Sequence, residues 1–191
     1  AMGCHGLSVV TALLIGDTAR VEDVQVVDVD WVADQARVIL EDMAVAAFKV
    51  GALGSIENIS VIAEIVSDYP DVPLILDPFI SALANQEDED DRLIAIRELL
   101  IPQATVMVAS AGELTRLARP WREPVTGDAL MLDAMRIIEM GCEYLLVTNT
   151  QTDLQEVANS LFDESGLVRQ DAWPRLPGSC AGRGWCRRTR T

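Results

Sequence analysis

Two carboxylates, Asp77 and Glu113, stand where an open parallel sheet would place chemistry. Asp77 follows the apolar run Leu74-Ile75-Leu76 and precedes a proline. Glu113 opens a short helical stretch after the run Thr105 to Val108. Two acids on one rim, with a hydrated Mg²⁺, could neutralise the phosphates of a nucleotide. Each also has a plainer reading. A strand-end Asp bonds nearby backbone amides, and a first-turn Glu suits the helix dipole. Lys49, the only lysine, precedes Gly51 at another strand end, where a solvated charge is the simplest reading. His5 is the only histidine, so a Ser-His-Asp triad or a multi-His metal site would have to be built around it. Gly178, Gly182 and Gly184 lie in PGSCAGRGW. Glycine-rich turns can present amides to an anion, but they need a helix behind them, and no helical pattern follows.

The elements that would carry these residues alternate in period. Ser8 to Leu14 is β-branched and apolar and predicts a buried strand; Val24 to Val27 predicts a second. Asp30 predicts the N-cap of a helix to Asp42, with Val32, Ala36, Ile39, Leu40 and Met43 on one face. Ala46 to Val50 reads as a strand. Ser55 caps a helix to Ser67 with the stripe Ile56, Ile59, Ile62, Ala63 and Val66. Leu74 to Leu76 is the next strand, and a helix from Asp90 to Ile101 follows the acidic run Glu87 to Asp91. Strand Thr105 to Val108 leads into a helix from Ala111 to Ala118. A helix from Asp128 to Met140 ends at Gly141, a C-cap candidate. Tyr144 to Val147 is a strand. Val157 to Phe162 and Leu167 to Trp173 form a hairpin turning at Glu164-Ser165-Gly166. All-apolar strands joined by helices predict an α/β fold with a mostly parallel sheet and helices on both faces. Ligands bind beyond the carboxyl ends of such strands. That singles out Gly16-Asp17-Thr18, Gly51-Ala52-Leu53, Asp77-Pro78 and Ser110 to Glu113.

Composition narrows the function classes. The chain has 191 residues, half of them hydrophobic, enough for one domain with a real core. Its formal charge of −15 repels phosphate backbones and anionic lipid, which argues against nucleic-acid and membrane partners. No apolar run reaches the ~18 residues of a membrane span. The N-terminal apolar stretch lacks a basic leader and a small-residue cleavage site, which predicts no secretory signal. Cys4, Cys142, Cys180 and Cys186 have no CxxC spacing and predict free thiols in a reducing cytoplasm. The stretch RGWCRRTRT, Arg183 to Thr191, carries four arginines and no acid, and predicts an irregular tail.

Six stretches taken in order resemble the hydroxymethylpyrimidine/phosphomethylpyrimidine kinases of thiamine biosynthesis, in the ribokinase-like superfamily. They are GLSVVTALLIGDT, AAFKVGALGS, PLILDPFIS, LLIPQATVMVASAGEL, YLLVTNT and VRQDAWPRLPGS. The resemblance implies a ribokinase-like three-layer α/β sandwich, ATP as donor, Mg²⁺, and phosphorylation of a pyrimidine hydroxymethyl group and then of its monophosphate. It also implies a homodimer. By position it implies nucleotide contacts at Ser110, Glu113 and Thr148, substrate contacts at Gly16, Gly51, Ala52 and Pro78, and a metal at Asp77 and Glu113.

The departures are as specific. The family's Gly/Ser-rich loop and first strand would precede this chain, and its C-terminal helices would follow. The expectation is therefore a partial kinase domain over residues 1–179 and an out-of-frame tail over 180–191. The family's pyrimidine-reading Gln falls at Gly16, its Met at Ala52, its Asn at Ser110, and its Lys and Gly at Thr148 and Asn149. In its Gly-x-Gly-Cys/Asp-Thr anion hole, Gly182 and Gly184 remain, but Trp185 holds the catalytic position and Cys186 that of the Thr. Two alternatives stay open: a non-catalytic relative that binds a ligand or partner, and a kinase for another small alcohol such as a pyridoxal-like substrate.

Overall fold

Four apolar runs lie parallel in one sheet: helices carry the chain back after the first three, and the fourth leads into an antiparallel strand. The computed structural model describes residues 3–17, 21–80, 88–121, 129–151 and 156–174. The chain order is β1 (Ala12–Gly16), β2 (Val21–Val26), α1 (Val29–Asp42), β3 (Phe48–Val50), α2 (Ile56–Ser67), β4 (Leu74–Leu76) and α3 (Glu89–Ala95), then β5 (Val106–Ser110), α4 (Ala111–Ala118), α5 (Ala129–Glu139), β6 (Tyr144–Gln151), β7 (Glu156–Asp163) and β8 (Gly166–Pro174). The main sheet has the order β3-β4-β5-β6-β7-β8. Strands β3 to β6 are parallel, and β7 and β8 are added antiparallel. This is the expected α/β architecture with a mostly parallel central sheet.

One register row crosses the parallel strands: Val50 pairs with Leu76, Leu76 with Met107, and Met107 with Leu145. All four side chains are buried, and they join Ile59, Leu114, Leu117 and Ile137 from the helices in one core. Helices α1, α2 and α3 pack in sequence, while α4 and α5 pack on each other and against β5 to β8. The Ser55 side chain caps α2 as expected, accepting from the Asn58 N–H at 3.2 Å. Gly141 ends α5 at a φ of +113°, a conformation that favours glycine. Gly166 closes the β7–β8 turn at φ +106°.

The structure corrects three expectations. The stretch Ser8 to Leu14 is not a buried strand of the central sheet. Strand β1 pairs only with β2, antiparallel, in a separate two-stranded sheet, and Leu13 and Ile15 are about 60% exposed. An apolar run fixes strand propensity but not what covers it. Asp28 rather than Asp30 caps α1, its carboxylate accepting from the Asp30 N–H at 3.0 Å. The helix after the acidic run starts at Glu89, opens into a π-helical turn at Ile96–Leu100 and tightens into a 3₁₀ turn at Ile101–Gln103. The last turn holds Pro102, which has no N–H for the α-helical ladder.

Candidate functional site

Strands β3, β4, β5 and β6 end on one rim, so the residues just after them are neighbours by topology. Asp77 follows β4. Its N–H donates to Val50 O at 2.8 Å, which fixes its backbone beside β3. Its carboxylate Oδ2 accepts from Lys49 Nζ at 3.1 Å. The lysine and aspartate side chains are 47% and 28% exposed, so this ion pair is open to water. A Cβ at Gly51 would make an ordinary van der Waals contact with Lys49 Nζ at 3.7 Å. Pro78 is buried, and Phe79 after it holds φ +48°. A bulky residue in that left-handed region costs on the order of 1–3 kcal/mol and persists only where its surroundings enforce it. Pro78, Leu53 and Ile80 line a small apolar recess, with Arg92 and Glu89 on its polar side.

Glu113 closes a cap at the start of α4. Its Oε2 accepts from the Ser110 N–H at 2.9 Å and from Ser110 Oγ at 2.7 Å, and Ser110 Oγ accepts from the Glu113 N–H at 3.3 Å. This is a reciprocal capping box on α4. Thr148 is the register partner of Ser110 on β6, and its hydroxyl donates to Ala109 O at 3.4 Å. Asn149 holds φ +58°, and its N–H donates to Asn159 Oδ1 at 3.2 Å. Asparagine tolerates this left-handed conformation better than most residues, so it preserves a backbone bend that glycine would also allow.

The rim thus gathers Lys49, Asp77, Ser110, Glu113 and Thr148 on adjacent parallel strands, but it does not aim the two acids at each other. Asp77 turns to Lys49 and Glu113 turns to its own cap. Register makes β5 run three residues, roughly 10 Å, further than β4 at this end. Among the described residues no group of three His, Cys, Asp or Glu side chains could cage a metal. Mg²⁺ keeps most of its water and binds through one or two carboxylates plus phosphate oxygens. The donor set therefore fits a cation that arrives with a nucleotide and does not fit one held by protein alone.

Gly16, Gly51 and Ala52 are divided by the hairpin geometry. Thr11 Oγ1 donates to Ala52 O at 2.7 Å, and a Cβ at Gly54 would press on Val26 and Ala12. The foot of the β1–β2 hairpin is therefore docked on the 52–54 loop, while Gly16 lies exposed at the far end of β1. Sequence reasoning passed over the group that holds this foot. Asn58, fully buried, donates from Nδ2 to Thr11 O at 3.3 Å and to Val27 O at 3.0 Å. Its Oδ1 has no hydrogen-bond partner. The readable signal was a polar residue beside the Ile56, Ile59, Ile62 stripe. The Lys49–Asp77 contact was passed over too, although the only lysine of the chain lay at a strand end. Gly182, Gly184, Trp185 and the expected 180–191 tail lie outside the described residues.

The family model described as phosphomethylpyrimidine kinase matches residues 1–186. A hydroxymethylpyrimidine/phosphomethylpyrimidine kinase of Escherichia coli (strain K12) is 25% identical over 177 residues, covering 92% of this chain and 66% of that protein. The chain thus spans just under two thirds of the length of that relative. A crystal structure of phosphomethylpyrimidine kinase from Clostridium difficile 630 superposes with a TM-score of 0.71 at 21% identity, over 90% of this chain and 72% of that one. An ADP complex of Bacillus subtilis pyridoxal kinase superposes at 0.69 and 19%, over 90% and 64%. No described helix is long and apolar enough to cross a membrane.

Proposed function

The chain belongs to the phosphomethylpyrimidine kinase family, and from that premise we propose that it takes part in ATP-dependent phosphorylation of hydroxymethylpyrimidine and its monophosphate for thiamine biosynthesis. The observation that carries this reading is the rim of four parallel strands bearing Asp77, the Ser110–Glu113 box and Thr148. Gly51, Ala52 and Pro78 line the substrate side of this rim, and Gly16, exposed at the far end of β1, is the position at which the family resemblance puts a further substrate contact. Ser110, Thr148 and the start of α4 orient the nucleotide phosphates. Asp77 and Glu113, paired here with Lys49 and Ser110, are the carboxylates that would hold the hydrated Mg²⁺ accompanying ATP, an ion that would supply charge neutralisation on the phosphates. The protein works in the cytoplasm as a homodimer.

Phosphoryl transfer forms a bond between the hydroxymethyl oxygen and the γ-phosphorus, breaks the bond to ADP and releases the hydroxyl proton. Trp185 offers only an N–H donor at the position where the family places its Cys or Asp. Loss of one main electrostatic stabiliser costs on the order of 10²–10³ in rate, so turnover is expected to be slow. A second reading, a kinase for a pyridoxal-like alcohol, draws on the missing side chain at Gly16 and the small one at Ala52, and on the fold shared with pyridoxal kinase. A non-catalytic relative is the third. Calorimetry with MgATP, hydroxymethylpyrimidine and pyridoxal, beside a coupled ADP-release assay, separates them. Pyrimidine binding with slow turnover supports the main reading, and pyridoxal binding alone supports the second. Binding without turnover supports the third, and absence of nucleotide binding overturns both kinase readings.

A further inference from the structure

We infer that Arg116 is a positioning residue of the rim: its guanidinium ties Ile80, which follows Asp77-Pro78-Phe79 on the substrate side, and Glu89, the first residue of α3, to helix α4 on the nucleotide side, and so fixes the spacing between the two halves of the site. The inference rests on the reading of this rim as a kinase site.

Helix α4 starts at the rim, where the Ser110–Glu113 box sets its first turn. Arg116 stands further along the same helix. Its Nη2 donates to Glu89 Oε1, and its Nη1 reaches Ile80 O at 3.5 Å. The charge-assisted contact with Glu89 is the stronger of the two and aims the guanidinium. Arginine suits the place because its planar fork carries several donors at fixed angles, so one side chain serves a carboxylate and a carbonyl at once. Ile80 is 4% exposed and its side chain lies in the core, which is where a carbonyl most needs a donor. The segment before it is held at both ends. Asp77 N–H donates to Val50 O at 2.8 Å, and Ile80 O faces Arg116. Between these anchors Phe79 holds φ +48°, a left-handed bend that a bulky residue keeps only where its surroundings enforce it. Release of Ile80 lets that bend relax, and Pro78 moves with it. Arg97 supplies a separate brace, since its Nη1 donates to Leu117 O at 3.3 Å from the π-helical turn that follows α3. Loss of Arg116 therefore acts on the 77–80 segment more than on helix packing.

Calorimetry of the full chain with hydroxymethylpyrimidine and, separately, with MgATP is the test, beside amide exchange at Phe79, Ile80 and Met107. Arg116→Met is expected to weaken pyrimidine binding about three- to tenfold, as for a segment that holds the bound geometry a third to a tenth of the time. MgATP affinity stays within about twofold, and exchange quickens at Phe79 and Ile80 but not at Met107. Arg116→Lys keeps a charge for Glu89 without the fork, and is expected to recover thermal stability but not pyrimidine affinity. Recovery of both by lysine would overturn the two-point tie. Unchanged pyrimidine affinity in Arg116→Met would overturn the positioning role, whatever the exchange rates. Equal weakening of both ligands with faster exchange at Met107 would reduce Arg116 to a support of the whole fold. If the wild type binds neither ligand, the kinase reading itself fails and the inference falls with it. Thermal melts show that each variant folds, and Arg116→Lys carries the exchange comparison if Met at 116 impairs folding.

Discussion

Glu113 closes back on Ser110, with Oε2 accepting from both the backbone N–H and the hydroxyl of Ser110 while the serine oxygen accepts from the Glu113 N–H. The pair fixes the first turn of α4 where the chain leaves β5. Ser110→Ala is expected to destabilise the fold by about 1 kcal/mol in urea titrations, the usual cost of a lost N-cap. Glu113→Gln keeps an acceptor and is expected to cost less than Glu113→Ala. Equal stability for Ser110→Ala and wild type would show that the box contributes nothing to the fold.

Asn58 is expected to hold the foot of the β1–β2 hairpin. Replacing it with Leu removes the side-chain donor to the Val27 carbonyl, while Thr11 O keeps the Val27 N–H. A cost of about 1–3 kcal/mol follows from the one carbonyl left unsatisfied. Amide exchange at Val27, whose N–H donates to Thr11 O at 3.0 Å, should accelerate more than exchange at Met107 in the central sheet. Uniform acceleration across both would mean that Asn58 supports global stability and not the hairpin in particular.

The two apolar strands β4 and β1 should respond to truncation in opposite ways. Leu76 is fully buried in the parallel row, and Leu76→Ala is expected to cost roughly 2–5 kcal/mol. Leu13 is 57% exposed, and Leu13→Ala should change stability by less than about 0.5 kcal/mol. Chemical denaturation of both variants checks the placement of β1. A large loss at Leu13 would mean that this strand is covered.

Burial pushes the Cys142 thiol from an ordinary value of 9.0 up to about 11, and its Sγ donates to Tyr144 O at 3.1 Å. At pH 8 it should alkylate far more slowly than the exposed Cys4, as read by mass spectrometry of the separate peptides. The folded state holds this proton more tightly than the unfolded state. Its contribution to stability is therefore complete below about pH 9 and is lost as the pH rises towards 11. Equal alkylation of Cys4 and Cys142 would contradict the burial.

Much of this molecule was legible in residue order. Ser55, Gly141 and the Glu164-Ser165-Gly166 turn act where their local chemistry predicts, because caps and turns are settled within a few residues. The alternation of apolar runs with amphipathic helices gave the parallel sheet, since such strands must be covered on both faces. The same pattern misjudged Ser8 to Leu14, where apolar character was a poor guide to burial because it does not say which strand lies alongside.

The functional residues divide along the same line. Position after a strand was enough to mark Asp77, Ser110 and Glu113 as rim residues, because a parallel sheet sends every such loop to one end. What each carboxylate does there was decided only by the assembled fold. Glu113 could meet Ser110 within one helical turn, a local contact that the Ser-x-x-Glu spacing already permits. The partner of Asp77 lies 28 positions earlier, on a strand that becomes its neighbour only when β3 and β4 pair. The links from Asn58 to Thr11 and Val27 span 47 and 31 positions in the same way. Sequence determined the elements and their ends through short-range geometry. Tertiary structure alone brought Lys49 to Asp77 and Asn58 to Thr11 and Val27, because those contacts exist only after distant segments have been brought side by side.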